Sequence, residues 1–165
     1  MRYTLYILLA MVAIGVSCSR DSHMKTYSIS STKIDLPDIL ETSVEDDTLV
    51  AFPPRTDFAN LRFTVISITK DGQEVASAGA RLIRDKAAES KEELHEENGR
   101  VWYQTTGPTS EGSTGSLMHY WYVGLGGHAL VVSCFIDAAR TTDPLAQRVL
   151  DSVEPAIQTF RTDSK

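Results

Sequence analysis

Two apolar strand-like runs enclose a glycine-rich turn near the middle of this chain, and that pairing limits the folds open to it. Ser116 to Val123 and His128 to Ile136 flank Gly124-Leu125-Gly126-Gly127, a strong hairpin signal. If Gly124 pairs with Gly127, one face carries Leu117, His119, Trp121 and Val123 beside His128, Leu130, Val132 and Cys134. The other carries Met118, Tyr120 and Tyr122 beside Ala129, Val131, Ser133 and Phe135. Both faces are apolar, so the strands are expected to be covered on both sides.

The remaining segments build a sheet around that hairpin. Thr26 to Leu36 reads as a first strand closed by Pro37, and Thr48 to Phe52 as a short strand ended by Pro53 and Pro54. Asn60 to Thr69 is the cleanest strand of the N-terminal half, and Lys70-Asp71-Gly72 signals a tight turn. Gln73 to Ile83 reads either as a partner strand or as the lead-in to a helix. Asp85 to Asn98 is rich in Ala, Glu and Lys and predicts a surface helix stopped by Gly99. Arg100 to Thr106 is a further strand, followed by the loop sequence GPTSEGSTG.

Asp143 is a good N-cap and Pro144 a good first helical residue. Leu145, Val149, Val153, Ile157 and Phe160 then mark one face of a helix, which Pro155 should kink near Asp151. The fold class this predicts is α+β: an α/β/α sandwich with a mainly antiparallel sheet and a C-terminal helix packed on it. The hairpin MHYWYVGLGGHALVVSCFI, with its Pro-started amphipathic helix, resembles the PsbP-like α/β/α sandwich over about Tyr27 to Phe160. That resemblance implies a non-enzymatic binding or assembly role and carries over no site residues.

The N-terminus supplies an address. Arg2 gives a positive n-region and Leu5 to Val16 an uncharged apolar run, short for a bilayer span of about 20 residues. Gly15-Val16-Ser17 before Cys18 resembles the bacterial lipobox, although Gly15 stands where Leu is usual. The reading is a signal peptide over residues 1–17, lipidation at Cys18, a tether over 18–25 and a single globular domain over 26–162. Ordinary secretion and a retained membrane anchor stand as alternatives. Ser19 lacks the Asp that favours inner-membrane retention in the enterobacterial rule, which points to the bacterial outer membrane as the place of anchoring. More than one acyl chain gives stable attachment, each buried methylene contributing about 0.8 kcal/mol.

Charge narrows the partners. The chain carries 16 Lys and Arg against 22 Asp and Glu; losing residues 1–17, with Arg2, leaves 165 less 17, or 148 residues, and takes the net charge from −6 to −7. Such a chain, with scattered basic residues, is a poor binder of nucleic acid or of anionic lipid headgroups and is compatible with a basic protein partner. With Cys18 acylated, Cys134 has no partner for a disulfide and reads as a buried, inert thiol.

No catalytic or cofactor motif emerges, so no cofactor and no enzymatic activity are expected. The G-x-G of the hairpin turn leads into a strand, whereas a dinucleotide loop leads into a helix. His119 and His128 fall about four residues apart along the hairpin, roughly 13 Å at strand rise, too far to share a metal ion. His95 lies among Glu92, Glu93, Glu96 and Glu97, which read as a solvated face. Trp102, Tyr103, His119 and Trp121 are the candidate binding residues, as core packing or as a recognition surface. Three function classes follow: a non-enzymatic module that binds an unknown protein partner, one version being immunity to a toxin; a small-ligand carrier or enzyme with a pocket near His119 and Trp121; and a structural surface protein with no specific ligand.

Overall fold

The computed structural model describes residues 23–71, 73–108 and 116–162. The export signal, Cys18 and most of the GPTSEGSTG loop therefore lie outside the described residues. A seven-stranded sheet runs through the domain in the order β3 (Glu41–Glu45), β4 (Thr48–Phe52), β5 (Ala59–Ser67), β11 (His128–Ile136), β10 (Leu117–Leu125), β9 (Arg100–Pro108) and β8 (His95–Glu97). Every neighbouring pair is antiparallel. A second sheet joins β1 (Met24–Ile29), β2 (Thr32–Pro37) and the short β12 (Arg161–Thr162). β6 (Thr69–Lys70) and β7 (Gln73–Glu74) form a small hairpin of their own.

Alternation along the central strands fixes which side is core. Leu49, Ala51, Leu61, Phe63, Val65, Trp121, Val123, Leu130, Val132 and Cys134 point to one face and are buried. They pack beneath Ile29, Ile34 and Leu36 of the small sheet and beneath the C-terminal helices, α2 (Pro144–Asp151) and α3 (Val153–Thr159). The helices contribute Ala146, Val149, Val153, Ala156 and Ile157 to that core. Asp143 caps α2 by accepting from the Leu145 amide at 2.8 Å, and Pro144 opens the helix. The single kinked helix expected there is two helices meeting at Ser152, because Pro155 has no N–H for the Asp151 carbonyl. Arg161 grips Asp35 through both guanidinium ends, at 3.0 and 3.1 Å, and so holds β12 to β2. That hydrogen bonding keeps the Asp35 carboxyl below its ordinary value of 3.8.

The other face of the large sheet carries one helix, α1 (Ala78–Ser90), over one end. Ile83 and Ala87 of α1 pack on Tyr103 and Ala129, with Tyr122 and Leu94 alongside. Two glycines allow this approach. A Cβ on Gly79 would lie 1.9 Å from the His128 carbonyl oxygen, and one on Gly124 would lie 2.5 Å from the Gly79 oxygen. The Gly79 amide also donates to the Gly126 carbonyl at 2.9 Å.

Several expectations need correction. The first strand is a hairpin, turned at Ser30-Ser31 with Ile29 facing Thr32. Ser30 takes a φ of 51°, and no glycine announces that turn. Met24 and Lys25 belong to β1 and not to a tether. The β3 strand was not expected, because ETSVE carries charge; charge suits an edge strand.

The helix expected over Asp85–Asn98 lies instead at Ala78–Ser90, closed by Lys91 in the left-handed region, with a φ of 59°. Residues beyond it form β8, joined to β9 by Asn98-Gly99, both at positive φ (49° and 78°). Asn-Gly is a type I′ hairpin signal, and it outweighs the helix propensity of the glutamates. The central hairpin pairs Gly124 with Ala129, two residues from the expected register. A shift of two leaves every side chain on its expected face.

Replacing Gly124 with Ala is expected to cost about 1–3 kcal/mol, the range for overpacking. Thermal unfolding should show Gly124→Ala well below the parent, with Gly107→Ala, in open space, close to it.

Candidate functional site

Where α1 stops, the sheet's second face is left half-covered. Reading across the ladder, one row holds Val50, Arg62, Ser133, Tyr120 and Thr105. The next holds Asn60, Phe135, Met118 and Gly107, and Phe52 lies on the same face of β4. Val50, Phe52, Met118, Tyr120, Val131 and Phe135 are all half-buried, whereas Leu49, Ala51, Trp121, Leu130, Val132, Cys134 and Ile136 on the opposite face are buried. Tyr120 stacks on Tyr122 with ring centroids 6.2 Å apart, and Tyr122 on Tyr103 at 5.0 Å, so the aromatics form a continuous ridge from the α1 contact into the open area. Burial pushes the Tyr103 and Tyr122 hydroxyls up from their ordinary value, so both stay neutral. Glu41 and Glu45 border the strip on the edge strand β3, and the Arg62 side chain is exposed at its centre.

The four candidate binding residues separate onto two faces. Tyr103 points to the α1 side and is only 5 % exposed; Trp121 points into the main core and is 3 % exposed. Both serve packing. Trp102 is half-buried against that core and stacks on His95 at 5.5 Å across the β8–β9 pair. His119 stacks on Trp121 at 6.0 Å, and its Nδ1 lies 3.1 Å from the Thr106 hydroxyl. His119 and Trp121 therefore do come together, with Trp102 farther along the same face and Tyr103 on the opposite one.

His119 and His128 prove more widely separated than expected. His119 faces Cys134, six residues along β11 from His128, or about 20 Å at strand rise. Among the described residues no group of three or more His, Cys, Asp or Glu side chains is placed to hold a metal ion. Glu92, Glu93 and His95 line a polar cleft of about 450 Å³ with Gln104, Thr105 and Thr106. Cys134 is buried, and the loss of water raises its thiol to about 12, so it stays protonated.

One cluster was missed in the sequence because its members are far apart along the chain. Ser31 Oγ lies 2.9 Å from His128 Nε2, and His128 Nδ1 lies 3.4 Å from Glu74 Oε1. Serine, imidazole and carboxylate follow in the order of an acyl-transfer triad. The alignment differs from one. His128 Nδ1 has no hydrogen-bond partner among the described residues, and Glu74 Oε1 instead accepts from the Gly127 amide at 3.2 Å. An imidazole not held through Nδ1 lacks the orientation that a general base needs. The cluster clasps three turns together: Ser30-Ser31, the β6–β7 hairpin and Gly126-Gly127. Ser30 Oγ adds a hydrogen bond to Asp47 in the β3–β4 turn.

The fold has known likenesses. No family model and no curated protein matches the chain. Among solved structures, it is similar to a protein from Bacteroides thetaiotaomicron at 16 % identity and a TM-score of 0.64, covering 86 % of this chain and 49 % of that one. This chain thus spans about half the length of the Bacteroides protein. It is also similar to cyanobacterial PsbP (CyanoP) from Synechocystis at 14 % identity and a TM-score of 0.52, covering 86 % of this chain and 93 % of that one. These likenesses support a PsbP-like fold, and neither neighbour is described as an enzyme. Among the described residues no helix is long and apolar enough to cross a membrane.

Two measurements test these assignments. Ser31→Ala should cost about 1 kcal/mol of stability, the worth of one hydrogen bond. A fluorophosphonate probe should leave the native protein unlabelled; covalent labelling at Ser31 would make the cluster a catalytic one. Burial also holds His119 below its ordinary value of 6.5. Its neutral form is thus favoured by folding, and the stability this gives is full above that value and lost as pH falls through the lower folded value. Denaturant titrations should show His119→Gln gaining on the parent as pH drops below about 6.5.

Proposed function

We propose that this chain is a lipid-anchored protein of the bacterial cell envelope whose domain recognises another protein without catalysing a reaction. The observation that carries the reading is the half-covered sheet face. A half-buried strip that interleaves aromatic, Met and branched side chains with polar ones, and is bordered by charge, has the composition of a binding surface. Tyr120 and Phe135, large aromatics on the adjacent strands β10 and β11, are its expected energetic centre. The acidic border of Glu41 and Glu45, with the net negative charge of the chain, favours a partner that presents basic groups around an apolar ridge. A toxin neutralised by an immunity-like contact is one such partner.

The anchor rests on the lipobox-like sequence before Cys18, and the outer membrane is its proposed destination. The fold likeness to PsbP is compatible with a binding or assembly role and supplies no partner. One observation favours the rival class, a small-ligand carrier near His119 and Trp121: the Trp121 indole N–H is buried with no hydrogen-bond partner among the described residues.

Both halves of the proposal are open to test in cells. Radioactive palmitate should label the parent, and Cys18→Ala should be unlabelled and released from membranes. A photo-crosslinking amino acid at position 120 should give a discrete protein adduct in envelope preparations, lost on Phe135→Glu. If position 120 gives no adduct while a control at Thr106 does, recognition does not use this face.

A further inference from the structure

Between the ends of β2 and β4 and one side of α2 lies an apolar cavity of about 200 Å³. Ile39, Leu40, Leu145 and Val149 supply its hydrocarbon, with Pro37, Pro53 and Pro54 around them. Proline has no amide hydrogen, so this lining offers few backbone donors to water. Its hydroxyl, on Ser152, already donates to the Val149 carbonyl at 2.6 Å. The lining's charged group is Arg148, which is exposed and has no ion-pair partner among the described residues. An apolar cavity with a single free guanidinium suits an amphiphile: hydrocarbon inside, anionic head outside.

The path of the chain says which amphiphile. The Asp38 amide donates to the His23 carbonyl at 2.8 Å, and Met24 pairs with Pro37. The polypeptide therefore enters the domain beside the cavity. Cys18 lies five residues before His23, and five residues reach at most about 18 Å. A lipid on Cys18 would hold this end of the domain against the bilayer. Met24 and Ile39, at 44 % and 47 % exposure, are two of the large apolar side chains left open to solvent, and both flank this entry point.

We propose that the cavity is a phospholipid site: it takes a short stretch of an acyl chain of a membrane phospholipid, whose phosphate pairs with Arg148. The assignment deepens the lipid-anchored reading by naming the end of the domain that meets the membrane, and it rests on that reading. Bidentate guanidinium–phosphate pairing fixes the headgroup, while Ile39 and Met24 enter the interface beside it. The acidity of the rest of the chain keeps other faces off an anionic surface.

The test uses the mature chain from residue 18 with Cys18→Ser, so that no attached lipid competes. Monomeric dihexanoyl phosphatidylglycerol, below its micelle concentration, is titrated against the amide NMR shifts. Saturable shifts are expected at Ile39, Leu40, Leu145 and Val149. Arg148→Glu and Ile39→Asp, both at exposed positions, should each weaken the binding about tenfold, equivalent to about 1.4 kcal/mol. Sodium hexanoate should bind more weakly than the phospholipid. Shifts confined to Tyr120, Tyr122 and Phe135, an absence of saturable shifts, or hexanoate binding as tightly as the phospholipid would each overturn the proposal. Palmitate labelling of the parent reports separately on the anchor: a labelled parent with a silent titration overturns the site alone.

Discussion

Gly79 and Gly124 touch backbone to backbone, and the position of α1 follows from that contact. With no side chain between them, the start of the helix settles directly onto the β10–β11 turn, where the Gly79 amide finds the Gly126 carbonyl. A larger residue at either position would lift the helix from the sheet. From that fixed start α1 runs across the sheet to cover Tyr103, Tyr122 and Ala129, and it ends at Ser90 with Lys91 in the left-handed region. Arg84 of α1 then reaches Glu96 of β8 with two hydrogen bonds, at 2.8 and 3.1 Å, which sets the helix against the last edge strand. The same geometry that places α1 at one end leaves the other end of that face half-covered.

The two faces of the sheet therefore differ in kind. One is buried along its middle under the small sheet, α2 and α3, where its side chains are aliphatic or aromatic, and opens to solvent toward its edges at Val44, Gln104, Thr106 and Leu117. The second face mixes Thr, Ser, Asn and Arg with Val, Phe, Met and Tyr at alternate ladder positions. Mixed composition of that sort is stable in water and still offers apolar area to a partner, which a fully polar face would not. It also explains why both faces of the β10–β11 hairpin read as apolar from sequence. One face is apolar because the core requires it. The other is apolar partly because α1 covers it and partly where none of the described residues does.

What could be read from the sequence was set by how local the determining interactions are. The β10–β11 hairpin, β4, β5 and the capped start of α2 follow from neighbouring residues, and each was legible. The hairpin's face assignment survived a wrong register because the error was an even number of residues. The Ser30-Ser31 turn was not legible. Its φ is held by contacts to Asp47 and His128, both distant in sequence. The α1 boundary failed for a related reason: glutamates at 92, 93, 96 and 97 favour a helix intrinsically, yet the Asn98-Gly99 turn and pairing with β9 draw the segment into a strand. Of the four candidate binding residues, Trp121 and Tyr103 were recognised as large aromatics, but only packing could show that they are buried. Tyr120 and Phe135, which face the open area, carry no signal that separates them from their buried neighbours.

The placement of the open face along the strands bears on how the domain could work at a membrane. Gly126-Gly127, Asn98-Gly99, Asp46-Asp47 and Ser30-Ser31 gather at one end of the sheet, the end that α1 covers first. Met118, Phe135 and Phe52 lie toward the other end, where Met24 pairs with Pro37 and the chain leads back to Cys18. In the proposed anchored arrangement the apolar strip is thus on the membrane-proximal half and faces sideways. A nine-residue strand spans about 30 Å, so a partner seated on the strip would lie close to the lipid surface. The distal end, with its clasp of Ser31, His128 and Glu74, is then a closed cap on the assembly. Recognition and attachment would share one end of the domain, and a short tether would help by keeping the strip at a fixed height above the bilayer.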